Sequence, residues 1–111
     1  MQHEVFLLAF IKRQEEIKDK MFYKGAEYST IEDQFHNFKR AGRIQNCTPE
    51  KALIGMKTKH DVSILDIVDK IEVGHVPDLL LVQEKIRDSI IYLHILESLI
   101  VERIENENIH K

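Results

Sequence analysis

The chain has 111 residues, 43% of them hydrophobic and 32% charged, with four glycines, two prolines and no tryptophan. That balance excludes a disordered chain and argues against a turn-rich all-β fold; it suits one strongly helical domain, 1–111, with a single modest core. A formal charge of −3 and a pI near 6.1 argue against broad contact with a phosphate backbone, so nucleic acid is not an expected partner.

Cys47 is the only cysteine, which leaves no intrachain disulfide and no cysteine-based zinc site. The opening MQHEVFLLAFIKRQEE has a short apolar run without a basic start or a small-residue cleavage site, so it does not read as a signal peptide. No apolar run approaches the roughly 20 residues of a membrane span. The expected location is the cytoplasm.

Four helices are expected. The first covers about His3 to Phe22, with Val5, Leu8, Ala9, Ile17 and Met21 near one stripe. YKGAEYST follows as a loop, and Ser29 with Glu32 forms a capping-box pattern at the start of a short helix. Ile31, Phe35 and Phe38 share one side of that helix, and Gly42 is its expected stop. Thr48 as N-cap and Pro49 as first helical residue open a third, long helix that runs to Gly74, with Ala52, Leu53, Met56, Ile64, Ile67 and Ile71 on its apolar face.

Pro77 and Asp78 open the last helix, which is expected to reach about Glu105. Along it Val82, Ile86, Ser89, Leu93, Leu96 and Ile100 alternate steps of four and three, the spacing of a bundle seam. At about 100° per residue Ile91 and Ile95 fall nearly opposite that seam. A helix apolar on two sides needs cover on both, so a homodimer or homotetramer with the last helix at its interface is expected.

Polar residues interrupt the apolar stripe of the third helix at Lys57, His60 and Ser63, with Asp61 at its border. Unpaired, such groups are costly to bury, and they call for partners or a wet cleft. A single histidine on an apolar face is commonly a satisfied core residue; three polar groups within seven residues make the cleft reading stronger. On the last helix Glu84 and Asp88 stand four apart and project from one face, where a hard cation such as Mg²⁺ would relieve their repulsion. Against that, acidic pairs on helices are common, and Lys85 and Arg87 can screen this one. No HxxxH or HExxH pattern, glycine-rich phosphate loop or GxSxG is present.

The order K-x-x-E-Y-S (Lys24 to Ser29), Asn37-Phe38, K-x-x-H (Lys57 to His60) and E-x-x-x-D-x-x-x-Y (Glu84, Asp88, Tyr92) resembles small phage and prophage proteins. These are related to the MazG-like all-α nucleotide pyrophosphohydrolases, including the group called nucleotide modification associated domain 1. The resemblance spans roughly residues 20 to 105. It implies an all-α, four-helix bundle-like, MazG-like domain that assembles as an oligomer, with a nucleotide bound between the two long helices. Lys24, Tyr28, Lys57, His60 and Tyr92 would contact the nucleotide, and Glu84, Asp88 and Asp61 would hold Mg²⁺. The implied chemistry is attack of water on the α–β phosphoanhydride. The chain departs from the catalytic pattern in lacking E-x-x-E on the earlier long helix, and its late acidic pair is one residue longer. A non-catalytic nucleotide-binding or signal-sequestering protein is therefore the alternative.

Overall fold

The computed structural model describes residues 2–22 and 31–109, and among these all regular structure is helical. Helix α1 spans His3–Phe22, α2 Ile31–Gln45, α3 Pro49–Glu72 and α4 Leu79–Ile109. Ser29 of the expected capping pattern, Lys24 and Tyr28 lie outside the described residues.

Local chemistry sets most of the helix ends. Thr48 is extended and its Oγ1 accepts from the Lys51 N–H at 3.1 Å, while Pro49 begins α3 with no N–H to satisfy. Asp78 caps α4 in the same way, its Oδ2 accepting from the Leu81 N–H at 3.1 Å. Gly74, at φ 94, ends α3 in the left-handed region; its N–H donates to the Ile71 carbonyl and that of His75 to the Lys70 carbonyl.

Gly42 is not the stop of α2. The helix continues to Gln45 and ends on Asn46, whose φ of 57 closes the same double hydrogen bond, Cys47 N–H to Gly42 O at 2.8 Å and Asn46 N–H to Arg43 O at 3.3 Å. Gly42 serves a different need. A Cβ there would stand 2.8 Å from the Cys47 carbonyl oxygen and 3.0 Å from the Pro49 nitrogen, so only glycine lets the chain turn back this tightly into α3.

Helices α2 and α3 form one antiparallel hairpin and α3 and α4 a second, while α1 packs on α4. The core lies where three helices meet: Phe38 of α2, Leu53 of α3, and Ile95 and Leu99 of α4, with Phe35, Ile91, Tyr92 and Leu96 packed around them. Leu53 is fully buried. From α1 only Ile17 is buried; Val5 and Leu8, expected on its packing stripe, are exposed together with Phe6, Leu7, Phe10 and Ile11. On α3, Ile64 and Ile67 are half-buried, whereas Met56 and Ile71 of the expected apolar face are exposed.

The largest departure concerns α4. Ile91 and Ile95, expected away from the bundle seam, face the chain's own core. Of the expected seam Ser89 is buried, Leu96 packs on the core and Val82 is half-buried, whereas Ile86, Leu93 and Ile100 face outward. Both faces have helical periodicity, and the partners Leu53 and Phe38, distant in sequence, select between them. The helix also runs four residues beyond Glu105. With 31 residues it is about 46 Å long and sets the longest extent of the molecule, 52 Å.

Candidate functional site

Antiparallel packing fixes which residues of α3 and α4 meet. His60 lies against Tyr92 and Glu50 against Arg103, so a step forward along α3 is matched by a step back along α4. His60 and Tyr92 have ring centroids 5.1 Å apart, tilted by 47°. Phe38 meets the same Tyr92 edge-on at 5.8 Å, so the tyrosine sits between the core and the imidazole.

The imidazole is incompletely satisfied. Among the described residues His60 Nδ1 is buried without a hydrogen-bond partner, and so is Ser89 Oγ one turn before Tyr92. A buried polar atom left unpaired costs about 1–3 kcal/mol, and such atoms in a folded protein call for an explanation. Burial, and then the charge of Asp88, raise the Tyr92 hydroxyl above the ordinary tyrosine range. Arg87 stands 3.6 Å from Asp88, too far for a hydrogen bond, and its Nε is likewise buried and unpartnered among the described residues.

Of the polar residues on the stripe of α3, two find partners on their own helix. Lys57, whose side chain is only 13% exposed, pairs with Asp61 at 2.6 Å. The Ser63 hydroxyl donates to the Lys59 carbonyl at 3.0 Å, one turn back. Of these three only His60 keeps an unmet group, so local pairing accounts for most of the polar interruption. The structure thus sets His60 of α3 against Tyr92 of α4, with Asp88 one turn from the tyrosine, while Lys57 and Asp61 of α3 pair with each other. Glu84 is exposed, one turn before Asp88 and two before Tyr92, about 12 Å along the helix from the latter.

The carboxylates divide between different neighbours. Asp61 is held by Lys57, Asp88 faces Arg87 and Tyr92, and Glu84 stands in solvent. Among the described residues no three of His, Cys, Asp and Glu gather to hold a metal. Glu84 and Asp88 do share a face, an arrangement that suits Mg²⁺ only when phosphate oxygens and water complete its shell.

A second feature was not legible in the sequence. Two turns along α4 from Tyr92, a cavity of about 370 Å³ opens between α2, α3 and α4, lined by Lys39, Arg43, Glu50, Leu99, Glu102 and Arg103 among others. Its charges largely consume one another: Arg103 grips Glu50 through two bonds of 2.8 and 3.1 Å, and Lys39 meets Glu102 at 2.6 Å. These pairs join residues more than 50 positions apart, and no local pattern announces them. They tie α2 and α3 to α4 at the charged end of the three-helix unit, and Arg43, exposed at the same cavity, belongs to neither pair.

Comparison with protein families, with curated proteins and with solved structures finds no match. None of the helices among the described residues is long and apolar enough to cross a membrane.

Proposed function

We propose that this chain is a helical nucleotide-binding protein whose site lies at the α3–α4 contact of His60 and Tyr92. One observation carries the reading: an imidazole nitrogen buried without a partner among the described residues, beside an aromatic ring and one turn from a nearly buried lysine. Such a group is expected where a ligand completes the hydrogen bonding. Lys57 and His60 would supply the donors that phosphate oxygens require. Tyr92 offers a hydroxyl and a ring edge beside the imidazole. Opening of the Lys57–Asp61 pair would release the ammonium toward an incoming phosphate, since a pair within one helix exchanges partners at little cost.

The resemblance to MazG-like pyrophosphohydrolases adds a second reading, hydrolysis, supported by the shared face of Glu84 and Asp88. These two would hold a magnesium ion arriving with the nucleotide, and the ion would supply neutralisation of phosphate charge. The commitment of Asp61 to Lys57 weighs for binding over hydrolysis.

A thermal-shift screen of nucleoside mono-, di- and triphosphates, with and without Mg²⁺, separates the two. Stabilisation without metal that His60→Ala and Lys57→Ala weaken supports binding. Pyrophosphate release that needs Mg²⁺ and is lost in Glu84→Gln supports hydrolysis. Neither effect with any nucleotide removes both.

A further inference from the structure

Where α1 meets α4, the packing leaves a pocket of about 170 Å³. Its wall is aliphatic, made by Ile17 of α1 with Val82, Ile86 and Ile90 of α4, and Arg87 also lines it. At about 100° per residue Ile86 and Ile95 point to opposite sides of α4, so the pocket faces away from the core and from α3. We infer that it binds a small apolar monocarboxylate, a chain or ring of about six to eight carbons whose charged end meets Arg87.

Arg87 is the reason for an anion. Its Nε is buried and has no hydrogen-bond partner among the described residues. Asp88 stands 3.6 Å away, beyond hydrogen-bond reach, and adjacent residues of a helix point about 100° apart. The second arginine of the pocket, Arg13, is taken by Glu16 at 2.6 Å. Those two charges cancel, and the lining keeps one net positive charge, that of Arg87. A guanidinium matches the two oxygens of a carboxylate as a planar fork. A buried N–H left unmet is costly, and such a ligand would satisfy it.

Size and wall chemistry set the rest of the ligand. A dry aliphatic cavity of about 150 Å³ takes benzene, so this one suits an apolar body of similar bulk. It falls below the roughly 300 Å³ at which sites for larger ligands begin. Four aliphatic side chains offer no donor or acceptor, so a sugar or a nucleotide base would lose its hydrogen bonds there. The occupant would also bridge two helices. Ile17 is the one buried residue of α1, which leaves this helix fastened to α4 over a short stretch. None of the pocket's residues belongs to the His60–Tyr92 contact, and the inference stands whether or not a nucleotide binds at that contact.

Titration calorimetry of the full chain with hexanoate, octanoate and benzoate tests this, with 1-hexanol and hexylamine as controls. Saturable binding of at least one carboxylate, at about 1 mM or tighter, is expected for ligands of this size. Hexylamine should bind at least about tenfold more weakly than hexanoate. Arg87→Met keeps the length of the side chain and removes its charge. It should weaken carboxylate binding at least about tenfold and leave 1-hexanol binding as it was. Ile86→Trp fills the pocket from its rim, where residue 86 is 45% exposed, and should abolish binding of every probe with helicity unchanged. Octanoate should slow hydrogen exchange along α1. Absence of saturable carboxylate binding overturns the proposal. So does carboxylate binding that survives either substitution, or hexylamine binding as tight as that of hexanoate.

Discussion

His60 on α3 and Tyr92 on α4 meet as tilted rings with their centroids 5.1 Å apart, and the imidazole in this contact keeps a buried Nδ1 with no partner among the described residues. Packing alone does not favour that arrangement. His60→Phe retains the aromatic contact and removes the unmet nitrogen, so the free protein should gain about 1 kcal/mol in chemical denaturation. The same variant should lose its thermal response to nucleotides. A histidine present only for packing would leave that response intact.

Tyr92 provides a pH signature. Its folded pKa lies above the ordinary tyrosine value, through burial first and the Asp88 charge second. Its contribution to stability is therefore fully present below the unfolded pKa of about 10 and is lost as pH rises from there through the folded value. In a Tyr23→Phe, Tyr28→Phe background, ultraviolet titration should show the remaining phenol ionising late. Asp88→Asn should bring the transition part of the way back, the rest being held by burial. A titration unmoved by Asp88→Asn would remove Asp88 from the site.

Two glycines in helices should respond with opposite sign. A methyl group added at Gly55 of α3 would meet nothing within 4 Å among the described residues, so Gly55→Ala should stabilise by up to about 1 kcal/mol. Gly42→Ala should destabilise despite the same helix propensity, because its Cβ would meet the Cys47 carbonyl at 2.8 Å. Denaturant midpoints of the two variants check both signs at once.

Leu53 and Thr48 test the packing and the caps. Leu53→Ala should cost about 2–5 kcal/mol, since the side chain is fully buried among Phe38, Ile95 and Leu99. Thr48→Ala should cost about 1 kcal/mol through the lost bond to the Lys51 N–H. Urea unfolding of both variants measures the difference.

Helix number and most helix ends were readable because their signals are local. Thr48-Pro49 and Asp78 act within one turn, and the expected ranges of α1, α3 and α4 follow them to within a few residues. Gly42 misled for a physical reason: glycine at a helix end and glycine beneath a crossing chain look alike until the crossing chain is in place. The two faces of α4 were both visible in the sequence, but which of them turns inward depends on Leu53 and Phe38, whose approach no local pattern encodes. In the site, Lys57 and Ser63 stood out as polar interruptions of an apolar stripe, yet partners four residues away on their own helix account for them. The ion pairs Lys39–Glu102 and Arg103–Glu50 escaped notice because only the folded chain brings them together.

The central claim is that a phosphorylated ligand binds at the α3–α4 contact through His60 and Lys57. Titration calorimetry of the metal-free chain with a nucleoside triphosphate tests it most directly, run beside His60→Phe and Lys57→Ala. Saturable binding to the wild type, weakened at least about tenfold in both variants, is the predicted result. Equal binding by all three proteins, or no heat with any nucleotide that the thermal screen offers, would contradict it.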